Sequence, residues 1–146
     1  MDNNPVILKK LLNANPEKVW KAITENEEMK KWYFNLADFK AEVGFQFQFT
    51  GGPDEGPHYL HLCEVTEVIP GRKITYSWRY DGFAGNSFVT FELIPQDDKT
   101  LLTLTHMGLE SFPQENADFA RNNFETGWDS IINDSLTKYL STRINK

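Results

Sequence analysis

"KITYSWRYDGFAGNSFVTFELIPQDDKTLLTLTHMG", residues 73–108, decides how the chain folds. Apolar and polar residues alternate through it with a period of two, as they do along strands with one buried and one wet face. Ile74, Tyr76, Trp78 and Tyr80 share one face of the first run. Val89, Phe91 and Leu93 share a face of the second, and Leu102, Leu104 and His106 a face of the third. Only "DGFAGN" and "QDDK" separate the runs, and both are rich in turn residues. Connections this short join antiparallel neighbours, so the stretch reads as a meander.

The pattern extends upstream. "PGRK" (70–73) is a tight turn, with Pro70 setting one dihedral and Gly71 supplying a positive one. "YLHLCEVTEVI" (59–69) is a long strand, and "GGPDEGP" (51–57) is a loop by composition. In "GFQFQFTGG" (44–52), Phe45, Phe47 and Phe49 point one way, and Gln46 and Gln48 the other. "VILKKLL" (6–12) reads as a first strand. In "NANPEKVWKAIT", Asn15 is a good helix cap, Pro16 suits the first turn and Glu17 favours the positive helix end. Asn26 is expected to cap a second short helix, "EEMKKWYF".

Near the C-terminus, Phe124, Trp128, Ile131, Ile132, Ser135, Leu136 and Tyr139 recur at helical spacing. A sheet with one oily face must be covered, and this helix is the only element long enough to do so. The expected fold is therefore α+β: a curved antiparallel sheet wrapped around a long C-terminal helix, with two short helices after the first strand. Gly127 sits in that helix beside Trp128, where glycine costs about 1 kcal/mol against alanine. It either packs close on the sheet or thins the helix face to leave room for a ligand.

Composition bounds the function. One domain, 1–146, suits the 146 residues. A net charge of −6 and the lack of a basic cluster argue against nucleic acid. The single cysteine, Cys63, excludes an intrachain disulfide. "MDNNPVILKK" is neither a signal peptide nor a membrane span, so a cytoplasmic, bacterial protein is expected. There is no G-x-S-x-G, Walker loop, dinucleotide fingerprint or H-E-x-x-H.

"NPEKVWKAIT" followed by "WYF", then "EVTEVIPGRKITYSW", "LTLTHMGL" and "GWDSIINDSLTKYL", resemble one family from about Ile7 to Leu140. It is the family homologous to the activator of the heat-shock protein 90 ATPase, within the START-like (SRPBCC) superfamily of helix-grip proteins. The resemblance implies a helix-grip fold with a central apolar cavity. The superfamily includes carriers, cyclases and chaperone partners. The activators for which the family is named carry an additional N-terminal domain, for which this length leaves no room.

Trp32, Tyr33, Phe45, Phe47, Phe49, Tyr76, Trp78 and Phe91 are the candidate pocket wall, with Trp128 on the helix. A hydrophobic pocket with a few polar groups is how small-molecule sites are usually built. His106 ends an inward row. It is expected to hold the Gly108 turn or Trp128 by a hydrogen bond, with one nitrogen left for a ligand. His58 and His61, three apart on a strand, face opposite sides and cannot share a metal without a bulge; zinc at His61, Cys63 and His106 lacks recognised spacing and a fourth ligand, and Cys63 reads as a small buried residue. Asp38 could lie near the cavity mouth.

The expected function is a non-enzymatic module holding a small apolar or amphipathic molecule between sheet and helix. No catalytic residue, metal or cofactor is assigned. The alternatives are a protein that binds a chaperone or regulator, and a cyclase- or hydrolase-like enzyme using the same cavity.

Overall fold

The structure, a computed structural model, describes residues 5–33, 38–51, 59–113, 119 and 121–144. Among them six strands form one antiparallel sheet: β1 (Val6–Leu12), β2 (Gln46–Gly51), β3 (Tyr59–Ile69), β4 (Lys73–Tyr80), β5 (Ser87–Gln96) and β6 (Lys99–Met107). Their order across the sheet is β1-β6-β5-β4-β3-β2. The meander occupies the middle, and β1 returns to pair with β6, Leu8 opposite Leu104.

The alternation reads through into burial. Ile74, Tyr76, Trp78, Val89, Phe91, Leu93, Leu102, Leu104 and His106 are all buried on one face. Phe47 and Phe49 join them from β2, while Gln46 and Gln48 are exposed. Phe45 precedes β2 and is only half-buried, its ring edge-on to Phe39. A bulge at Val65/Glu67 shifts the β3–β4 pairing. It reverses the parity of β3 beyond that point, so Val68 turns inward instead of Glu67.

Two short helices, α1 (Pro16–Thr24) and α2 (Asn26–Trp32), follow β1. Asn15 caps α1 by accepting the Lys18 N–H at 2.9 Å. Asn26 is the first residue of α2, and Glu25 takes the cap position expected of Asn26. The Trp32 indole donates to the Ala22 carbonyl at 2.8 Å and ties α2 to α1. Phe34, the last residue of the "WYF" segment, and His58 lie outside the described residues.

The C-terminal helix crosses the buried face. It comprises α3 (Arg121–Asp129), a π-helical stretch (Ser130–Leu136) and α4 (Thr137–Ile144). Within the π stretch's last turn, the Thr137 N–H and hydroxyl both donate to the Ile132 carbonyl, five residues back. Phe124, Trp128, Ile132, Leu136 and Leu140 are buried, every fourth residue. Ile131, Ser135 and Tyr139, expected on the same face, are half-buried at its flank.

Candidate functional site

Gly108 ends β6 with φ +89°, and a Cβ there would meet the Asn86 carbonyl oxygen at 3.0 Å. The turn is held by Ser111 rather than by His106. The Ser111 hydroxyl oxygen lies 2.7 Å from the carbonyls of Asn86 and Gly108, and accepts the Asn86 N–H.

His106 instead joins helix to sheet. The Trp128 indole N–H donates to its Nδ1 at 2.9 Å. An indole can only donate, so Nδ1 carries no proton and Nε2 does. Nε2–H then donates to the Ser87 hydroxyl at 2.8 Å, and that hydroxyl donates to the Trp78 carbonyl at 2.7 Å. The chain is buried and every hydrogen finds an acceptor. Burial, with His61 nearby, pushes the His106 pKa down to about 3. Both nitrogens are therefore occupied within the protein, and the nitrogen expected to be left for a ligand is taken by Trp128.

The space between sheet and helix is not one cavity. In its middle the hydroxyls of Tyr33 and Tyr76 share a 2.6 Å hydrogen bond. The Tyr33 ring stacks on Trp128 and meets Phe91 edge-on, and Tyr76 meets Phe47 edge-on. Burial raises both phenol pKa values well above the ordinary value, so both hydroxyls stay protonated.

This plug of rings leaves a pocket of about 620 Å³ between α3 and the ends of β2, β3 and β4. Its walls are Tyr59, His61, Trp78, Tyr80, Phe119, Phe124 and Trp128, with Thr126 and Ser130 from the helix. No Asp, Glu, Lys or Arg is among its described lining residues. Gly127 borders it, and a Cβ built there meets nothing within 4 Å. Gly127 is exposed and does not pack close on the sheet, and the space beside it is open to solvent.

Polar groups in the described lining come from Tyr59, His61, Trp78 and Tyr80 on the sheet and Asn123, Thr126 and Ser130 on the helix. The Trp78 indole donates to the Tyr80 hydroxyl at 2.9 Å. The His61 ring stacks on Phe49, and its Nδ1 donates to the Tyr59 carbonyl at 3.0 Å. Burial lowers the His61 pKa to about 4, so it too is neutral. Cys63 is buried, and burial alone pushes its thiol pKa up, which keeps it in the unreactive thiol form. No cluster of three metal-ligating side chains exists among the described residues.

The ten predicted wall residues are thus divided. Trp78 and Trp128 line the large pocket. Trp32 and Tyr33 line a depression of about 410 Å³ beside Lys31, Ser135 and Tyr139. Phe45 and Phe47 border a groove of about 470 Å³ at the β2 edge, where Gln48, Glu64 and Arg79 also lie. Asp38 belongs to that groove and caps the Phe39 N–H, so it stands away from the large pocket's mouth. Phe49, Tyr76, Phe91 and His106 line none of these three and are packed among other rings. Tyr59, His61 and Phe119 are pocket residues that sequence reasoning missed. Tyr80 and Phe124 lay on the right faces of their elements, and that parity was the available signal.

A curved antiparallel sheet gripping a C-terminal helix, with two short helices after the first strand, defines a helix-grip protein. Residues 13–141 match the family described as "Activator of Hsp90 ATPase homolog 1-like protein", and the chain belongs to it. It is similar to the mouse (Mus musculus) protein named "Activator of 90 kDa heat shock protein ATPase homolog 2", 28% identical over 114 residues. That match covers 77% of this chain and 32% of the mouse protein, so the chain spans about a third of that relative. Protein MLL2253 from Mesorhizobium loti superposes with a TM-score of 0.76 at 26% identity, covering 95% of this chain and 98% of that one. Protein BH1534 from Bacillus halodurans gives 0.71 at 25%, covering 93% and 96%. No helix among the described residues is long and apolar enough to cross a membrane.

Proposed function

We propose that this protein is a non-enzymatic binding module for a small, uncharged apolar or amphipathic molecule, held between α3 and the β2–β4 end of the sheet. The observation that carries this is the pocket of about 620 Å³ walled by aromatic rings. The volume is that of ordinary small-molecule sites. The described lining carries no charge, which favours an uncharged guest, because an ion there would lose its hydration without a partner among those residues. His106, expected to position the helix and contact a ligand, is neutral and has both nitrogens bonded within the protein, so it serves as scaffold.

The test uses a hydrophobic fluorescent dye and Gly127→Phe. Wild type should take up the dye. The variant should exclude it, with a denaturation midpoint no lower than wild type, since the ring enters open space and glycine is the poorer helix former. Equal uptake by both proteins would remove this pocket from the function.

A second reading, action on a heat-shock protein 90 ATPase, rests on the matched family and on the mouse relative's name. Its check is the ATP turnover of the host's own chaperone with and without the purified chain.

A further inference from the structure

The exposed apolar side chains are not scattered. Of the eight large ones among the described residues, Ile7, Leu11, Phe88, Ile94 and Met107 lie on the outer face of β1, β6 and β5, behind the buried rows. A concentration of this kind marks an interaction surface.

The pairing register arranges them in rows across the three strands. One row is Leu11–Leu101–Ile94, the next Lys9–Thr103–Glu92, and the next Ile7–Thr105–Thr90. Met107 and Phe88 are opposed in the row beyond. The middle of this face, among threonines, thus carries Lys9 and Glu92 on opposite sides of Thr103, with Lys73 of β4 next to Glu92 in the same row and paired with Glu67. Among the described residues neither Lys9 nor Glu92 forms an ion pair.

We propose that this face is the interface of a homodimer, two sheets packed back to back about a two-fold axis running close to β6. Such an axis exchanges β1 with β5 and leaves β6 facing itself. Lys9 of each copy then meets Glu92 of the other, so two ion pairs form. Leu11 meets Ile94, Leu101 meets Leu101, and Met107 meets Met107. An axis across the strands would instead set Lys9 on Lys9 and Glu92 on Glu92, which like-charge repulsion disfavours. The charges therefore select one two-fold arrangement, as an isologous interface requires. Sheets packed nearly aligned, with about 10 Å between them, are a standard solution for such faces.

The size of the face sets the strength. Three strands over seven residues present roughly 14 by 23 Å of sheet. That is below the roughly 800 Å² per partner of a standard interface. The dimer should therefore be weak and dependent on protein concentration and salt.

Sedimentation velocity at low salt, from low micromolar to millimolar protein, tests this on wild type, Lys9→Glu, Glu92→Lys and the double variant. Both positions are exposed, and denaturation midpoints check that each protein folds. Wild type should dimerise as concentration rises. Each single change sets like charges opposite one another twice, and should weaken association by about tenfold or more. The double change restores opposite charges at the same places and should restore the dimer. A wild type that stays monomeric at millimolar concentration overturns the proposal. So does a dimer indifferent to both single changes, which would point to pairing through the β1 edge. So does a double variant no better than the singles. A monomer whose binding to some other protein follows these substitutions would assign the face to a different partner and equally overturn the dimer.

Discussion

A histidine at the end of an apolar row is justified by what its two nitrogens do. His106 accepts from Trp128 and donates to Ser87, so removing it strands an indole N–H on one side and frees a buried hydroxyl on the other. His106→Gln keeps one acceptor and one donor. It should cost about 1 kcal/mol or less, the size of one net hydrogen bond. His106→Leu keeps the volume and loses both functions. It should cost about 1–3 kcal/mol, the penalty for a stranded buried group. Equilibrium urea curves for the two variants decide the matter: equal losses would mean that the hydrogen bonds contribute nothing. The row Leu102–Leu104–His106 and the tie to Trp128 were readable beforehand because strand parity is local. The tautomer was not, since it follows from an indole that meets the imidazole only when helix and sheet are assembled.

The C-terminal helix shows why a wider turn is needed. Its buried residues are spaced by four from Phe124 to Leu140. In an uninterrupted α-helix at 3.6 residues per turn, that spacing would carry the last one about 160° around from the first. A π turn advances roughly 80° per residue, so the seven residues of Ser130–Leu136 remove about 140° of the drift and keep the stripe on the sheet. A strict spacing of four was the sequence signal, but a template of 3.6 absorbs it by adding Ile131, Ser135 and Tyr139 to the face. Deleting the exposed Asn133 should convert the π stretch to α-helix, with Leu136 then three residues after Ile132, and the protein should still fold cooperatively. Deleting Glu125 from the α-helical segment should rotate everything downstream by about 100° and abolish the cooperative transition. Thermal melts followed by near-ultraviolet circular dichroism separate the two. Comparable melts would show that the stripe does not need its phase.

For the whole molecule, acid is the weak point. His106 and His61 have pKa values lowered to about 3 and about 4 by burial, against about 6.5 in the unfolded chain. Below pH 6.5 the unfolded state binds protons that the folded state refuses, so stability falls as pH falls. Above pH 7 both rings are neutral in both states and the contribution is fully present. Between pH 6.5 and 5 each histidine should cost about 2 kcal/mol, before most carboxylates begin to titrate. Urea unfolding at pH 7, 6 and 5 measures it, and His106→Gln should remove about half of the slope. A flat profile would mean that the rings are hydrated. Meander order, inward rows and the helix-grip outline were legible because each follows from periodicity within a single element. The pocket was not, because its position depends on how α3 crosses the sheet and on the Tyr33–Tyr76 rings that divide the space. Both involve residues far apart in the chain, which no single run of sequence displays.

The tie between helix and sheet also has an optical side. Trp78 and Trp128 lie with ring centroids 5.4 Å apart and planes tilted by 54°. Two indoles so close and so inclined mix their ultraviolet transitions. The folded protein should therefore show a paired circular-dichroism band of opposite signs arising from the contact itself, and Trp78→Phe should remove it. Its strength follows the separation of two rings, one on the sheet and one on the helix, at the edge of the pocket. Because one ring sits on the sheet and the other on the helix, that band reports whether the two elements are in contact.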